Sequence, residues 1–212
     1  MNKNAGLKLF FAVLFIALIG GSATLLAIGQ YVLGAVLSVV TIVLIISYIS
    51  TYNKMVRYKN KVAESLALID IHLKLRFDLV PNLVNTVKGY AKHEKQVLEE
   101  VARLRNLAIT ATDEETKLDY SNQLVPKMKN LIAVAESYPD LKAQPLFKDL
   151  MEQLVDIEDR IVSARRIYDS NVSEYNSLIK TFPSNLLALT YGYTEEKLFR
   201  IDANEKVAPV VE

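Results

Sequence analysis

No charged residue occurs between Lys8 and Lys54. Beyond Lys54, apolar and charged positions follow a helical period. Apolar residues fall at Met55, Val62, Leu66, Ile69, Leu73, Phe77 and Val80, while Lys54, Arg57, Lys61, Glu64, Lys74 and Asp78 take the other face. This pattern predicts an amphipathic helix over Thr51–Val80 whose stripe needs partners to bury it. Pro81 lacks a backbone donor and disfavours helix at Val80, so a kink or break is expected there. A short helix Asn82–Tyr90 should follow, ended by Gly89, with His93 and Glu94 opening the next element. Val97, Val101, Leu104 and Ala108 continue the period. Thr112-Asp113-Glu114-Glu115 reads as a turn and a capped helix start. Leu118, Leu124, Val125, Met128, Leu131, Ile132 and Ala135 carry the next helix, with Pro126 expected to kink it.

The final seam is the longest. Phe147, Leu150, Leu154, Ile157, Ile161, Ala164, Tyr168, Val172, Tyr175 and Ile179 step by three and four. A helix over Leu146–Thr181 would extend about 54 Å. Phe182-Pro183-Ser184-Asn185 should stop it, and Leu186–Phe199 should fold back over one end. No segment alternates with period two. The expectation is an all-α chain whose soluble part is an antiparallel four-helix up-and-down bundle.

The uncharged N-terminal run would extend about 65 Å as one helix, about twice the hydrocarbon thickness of a bilayer. Two spans fit better, about 7–28 and 31–49, turning near Gly29-Gln30. Lys3 and Lys8 flank one end, and Lys54, Arg57, Lys59 and Lys61 the other, with no acid before Glu64. The positive-inside rule then places both ends in the cytoplasm. Two alternatives remain: residues 1–23 as a signal peptide with Gly21-Ser22-Ala23 as its cleavage site, or a partly inserted first segment. The organisation expected is an anchor over 1–50, a helical domain over 51–202 and a flexible tail over 203–212.

Composition adds exclusions. Lys and Arg total 25 against 24 Asp and Glu, so the net charge of +1 gives no argument for nucleic acid. The chain has no Cys, which removes disulfides, thiolate metal sites and cysteine nucleophiles. Without Trp, Tyr and Phe must supply any interfacial aromatic belt.

Several words in the chain resemble the LemA family of membrane-anchored bacterial proteins. They are Tyr52-Asn53, Asn60-Lys61-Val62, Ile69-Asp70-Ile71, Leu73-Lys74, Asp78-Leu79-Val80-Pro81-Asn82-Leu83-Val84 and Thr86-Val87-Lys88-Gly89-Tyr90-Ala91. The C-terminal half adds Leu131 through Lys142, Ala164-Arg165-Arg166 with Tyr168, Tyr175-Asn176, Phe182-Pro183-Ser184-Asn185-Leu186 and Tyr191-Gly192-Tyr193. The resemblance covers about Tyr52 to Phe199. It implies a helical bundle on a membrane anchor and brings no catalytic residue set. Two predicted spans depart from the single span usual in that family.

Chemistry-bearing residues are few. His72 and His93 lack the Glu-x-x-His spacing of a bundle metal site and read as surface histidines. Position 77, often His or Tyr in the resembled family, is Phe here. Glu152, Asp156, Glu158 and Asp159 share a helix with Arg160, Arg165 and Arg166. Such letters mostly form solvated pairs one turn apart. No phosphate-binding glycine loop or nucleophile motif occurs. Asn53, Asn60, Asn82, Asn176 and Asn185 recur near seams or helix ends. Asn60, Arg165, Tyr168 and Asn176 are expected to form a polar layer. Pro81 and Asn82 should shape a joint, and Pro183 and Asn185 a helix stop. The basic run Lys54–Lys61 suits acidic phospholipid head groups.

The reading is a non-enzymatic scaffold or adaptor at the cell membrane, its helical domain cytoplasmic. It needs no cofactor or metal, and its partners are membrane lipids and membrane-associated proteins rather than nucleic acid. The alternative is a sensor binding a small ligand between helices. A hydrolase comes third.

Overall fold

The computed structural model describes residues 3–91 and 94–199. Within them the chain forms seven helices and no strand: α1 (Lys3–Ala27), α2 (Tyr31–Lys88), α3 (Lys95–Thr110), α4 (Glu114–Glu136), α5 (Pro139–Ala143), α6 (Pro145–Lys180) and α7 (Ser184–Tyr191). The chain divides into two compact units. Of the described residues, one takes in 3–65 and 167–199; the other takes in those between Leu66 and Arg166.

The first unit begins with two apolar helical stretches, α1 and the first part of α2. They are long and apolar enough to cross a membrane. A core helix of a water-soluble protein would be mostly buried, whereas only a small share of either stretch is buried. Leu9, Ile16, Val32 and Val39 face outward, as lipid-facing side chains would. The turn between them is a Schellman motif. Gln30 N–H donates to Leu25 O at 3.1 Å and Gly29 N–H to Leu26 O at 3.3 Å. Gly29 sits at φ 84°, a conformation that glycine adopts without strain. Gly34 permits a close approach of the two stretches, because a Cβ there would meet Leu26 Cγ at 2.7 Å. The expected turn near Gly29-Gln30 is therefore present.

The second apolar stretch and the predicted helix over Thr51–Val80 are one continuous helix. One expectation about α2 fails: Pro81 does not end it, since α2 runs on to Lys88 and no separate helix begins at Asn82. α4 likewise continues through Pro126.

The second unit is built on the predicted stripes. Ile69, Leu73, Phe77, Val80, Leu83 and Val87 of α2 are buried, as are Leu104 of α3, Leu124 and Leu131 of α4, and Leu150, Ile157 and Ile161 of α6. α3 buries Leu98 rather than the expected Val97. α3 and α4 pack against each other across the short turn at Ala111–Asp113. Asp113 caps α4 by accepting from Thr116 N–H at 2.8 Å, which holds its carboxyl below the usual carboxylate range. Lys117 of α4 pairs with Asp70 of α2, and Lys127 with Glu100 of α3 at 3.0 Å. α5 and α7 are short helices that the periodicity does not predict. His93 and the predicted tail from Ala203 lie outside the described residues.

Candidate functional site

Among the described residues of the second unit, one charge is fully buried. Arg76 lies on the apolar face of α2, three residues after Leu73, and is 2% exposed. Its guanidinium donates to Ser121 Oγ of α4 at 3.0 Å and pairs with the Glu158 carboxylate of α6, which is 41% exposed. Burial pulls the Arg76 pKa down; Glu158 opposes the shift and the neighbouring Arg165 adds to it. Arg165 donates to Asn122 Oδ1 at 2.7 Å, but its Nε is buried without a partner. The expectation of solvated pairs along α6 is thus half right. Asp156 and Arg160 form one at 2.8 Å, while Glu158 is taken by an arginine from another helix. His72 is not a surface residue as expected: it is half-buried, and its Nδ1 is buried without a partner.

The first unit carries a second constellation, made by the end of the described chain. After α7, Gly192 takes φ 74° and the backbone turns back along α6. The side chains of α6 hold it. Tyr168 Oη donates to Lys197 O at 3.1 Å and Tyr175 Oη to Thr194 O at 2.9 Å. Asn176 makes a two-way contact, Nδ2 to Glu196 O at 2.8 Å and Oδ1 from Glu196 N–H at 3.0 Å. Phe199 N–H donates to Asp169 Oδ1 at 2.9 Å, and Lys180 pairs with Glu195 at 2.8 Å. An extended strap has no helical partners for its backbone, and these side chains supply them.

The expected polar layer of Asn60, Arg165, Tyr168 and Asn176 is not formed. Asn60 is exposed, and Arg165 serves the second unit. Tyr168 and Asn176 instead hold the strap. Asn53 and Asn82 are exposed as well. Asn82 lies inside the continuous α2, and its own carbonyl accepts from Thr86 Oγ1 at 2.7 Å. Pro183 is exposed between α6 and α7, and Asn185 is half-buried in the first turn of α7. The Asn185 Oδ1 is buried without a partner at an open cleft of about 420 Å³, lined also by Lys180, Tyr193 and Glu195. A second open cleft lies along α6 at Met151, Val155 and Asp159. Among the described residues no three His, Asp or Glu side chains converge as a metal site.

The strap residues predict a pH response. Burial pushes the Tyr168, Tyr175 and Tyr193 phenols above their ordinary value, and nearby Glu196 adds to the first two. The folded state therefore retains these protons more tightly than the unfolded chain, which releases them near pH ~10. Stability is present in full below that value and falls as pH rises toward the folded pKa values. Ultraviolet titration of the phenols should show an early exposed class and a late class. Proteolysis within residues 193–199 should rise with the late class; a single early class would refute the hold of the tyrosines on the strap.

A family model described as LemA family matches residues 65–212. Protein LemA of Metamycoplasma hominis is 25% identical over 161 residues, covering 76% of this chain and 74% of that protein. Magnetosome protein MamQ 2 of Paramagnetospirillum magneticum is 37% identical over 70 residues, 33% of this chain and 26% of its own length. Magnetosome protein MamQ of Magnetospirillum gryphiswaldense is 35% identical over 69 residues, 32% of this chain and 25% of its own length. The chain thus spans only about a quarter of either magnetosome protein, against most of the mycoplasma one.

Proposed function

Because this chain belongs to the LemA family, we propose that it is a membrane-anchored, non-enzymatic scaffold or adaptor, whose cytoplasmic helical domain binds membrane-associated proteins. The observation that carries this reading is the pair of exposed apolar stretches, α1 and the first part of α2, each long and apolar enough to cross a bilayer. The distribution of charge supports the orientation: Lys8 precedes the hairpin, and Lys54, Arg57, Lys59 and Lys61 follow it. The buried Arg76–Glu158 pair and the strap contacts are already satisfied within the fold, which suits structural rather than chemical roles.

The chain has no cysteine of its own, so single introduced cysteines report topology directly. Gln30→Cys should react with a membrane-impermeant thiol reagent in intact cells, and the exposed Thr112→Cys only after permeabilisation. Labelling of Thr112→Cys in intact cells would overturn the orientation. Crosslinking in cells, read by mass spectrometry, should recover membrane-associated proteins. A stoichiometric metal together with hydrolase turnover by the purified protein would defeat the scaffold reading.

A second reading, a sensor for a small polar ligand, is favoured by the unpartnered Asn185 Oδ1 at its cleft. Native mass spectrometry should then show a small molecule on the parent that is missing from Asn185→Ala.

A further inference from the structure

We propose that α7 lies in the membrane interface, with Phe182, Leu186 and Leu189 inserted between lipid head groups and the upper acyl chains. The proposal rests on the reading of α1 and the first part of α2 as membrane-spanning. Leu186 and Leu189 lie three residues apart on α7 and so share a face, and Phe182 lies in the turn just before it. They are 80%, 41% and 67% exposed, whereas Leu187, Ala188 and Thr190 are buried beneath them. No charged residue occurs between Lys180 and Glu195, a stretch without the charges that usually keep an exposed helix in water.

The position of α7 says what covers that face. α7 packs against α1. Its last residue, Tyr191, shares a hydrogen bond of 2.8 Å with Tyr48 and lies 4.8 Å from the Tyr52 ring. Lys8 Nζ sits 4.7 Å from the Tyr191 ring centre. Tyr48 in turn contacts the rings of Phe11 and Phe15. Lys8 and Lys54 bound the uncharged run, so Tyr191 is fixed at the level where both apolar stretches end. Tyrosines and lysines at that level are the usual residues of a membrane–water boundary. Lys59, over the Tyr193 ring at 5.4 Å, continues the basic side. The apolar face of α7 is thus continuous with the apolar surface of the hairpin, and a lipid surface is the occupant that matches both. A short helix with one apolar face lies in, rather than across, such an interface.

The test uses the full-length protein in vesicles of phosphatidylcholine and phosphatidylglycerol carrying nitroxide-labelled acyl chains. A polarity-sensitive thiol probe is placed singly at Leu189→Cys, at Val43→Cys in the second apolar stretch, or at Ser170→Cys. Ser170 is exposed on α6 next to Asn171, whose Nδ2 donates to Lys61 O at 3.3 Å, beyond the membrane end of α2. The Leu189 and Val43 probes should both lose emission to the labelled lipid, and the Ser170 probe should not. If Val43 is quenched and Leu189 is not, the interfacial α7 is refuted while the anchor stands. If neither is quenched, the anchor reading itself fails. A Leu189 probe shielded from water yet insensitive to labelled lipid means that another protein surface, such as a second copy, covers α7, and this too overturns the proposal.

Discussion

Glu158→Ala should destabilise the second unit by about 2–3 kcal/mol, more than Arg76→Met does. The asymmetry follows from burial. Arg76 is almost wholly enclosed, whereas 41% of Glu158 is exposed. Removing the carboxylate strands a buried guanidinium that keeps only its bond to Ser121 and faces Arg165 nearby. Removing the arginine instead lets Glu158 recover water, so the full penalty of a broken buried pair falls on one side only. Methionine fills much of the arginine volume, and what remains is an unpartnered Ser121 hydroxyl and imperfect packing, about 1 kcal/mol. The double variant should resemble Arg76→Met alone, because the charge that made Glu158 necessary is gone. Denaturant unfolding of the full chain in detergent, followed by circular dichroism, checks the order. Equal losses for the two single variants would show that Arg76 is solvated on opening and that the pair is not an enclosed one.

This network also marks where sequence reading stopped. The apolar stripes of the second unit were legible because three-and-four spacing survives in Ile69, Leu73, Phe77 and Val80. The hairpin turn was legible because an uncharged run too long for one span contains a single Gly-Gln pair at its middle. Arg76 was missed although its spacing from Leu73 and Val80 puts it on the buried face. Ser121 gave the matching signal, a polar residue in the register of Leu124 and Met128. A lone charge in a stripe looks like an error of phase until a partner from elsewhere is known, and Glu158 is far away in sequence. The strap was unreadable for a related reason. Extended backbone held by side chains has no periodicity, so nothing assigns Asn176 to Glu196 or Tyr175 to Thr194. Glycine and proline misled in opposite ways. Gly29 ended a helix as expected, whereas Pro81 did not.

Arg105→Ala should cost about 1–3 kcal/mol in the parent and only a few tenths of that in a Pro81→Ala background. Proline has no N–H, so at position 81 it leaves the Phe77 carbonyl, one turn earlier in α2, without its helical donor. Phe77 is buried, and an unmet carbonyl there would carry a desolvation penalty. Arg105 of α3 meets it: its Nε donates to Phe77 O at 2.7 Å. That bond explains how α2 passes through Pro81 without ending. It also gives the proline a purpose, since the carbonyl it releases becomes a docking point for α3 at one register. Pro81→Ala restores the helical donor, so it should stabilise α2 by about 1 kcal/mol while loosening that register. Asn82→Ala should stay within about 0.5 kcal/mol, because Asn82 is exposed and caps nothing. Unfolding of the four variants closes the cycle, and hydrogen exchange in α3 reads the register. A loss for Arg105→Ala that is unchanged by Pro81→Ala would assign the stabilisation to packing of the arginine stem. Parent-like stability of Pro81→Ala and Arg105→Ala, with crosslinked partners lost, would make this stretch of α2 a binding surface instead.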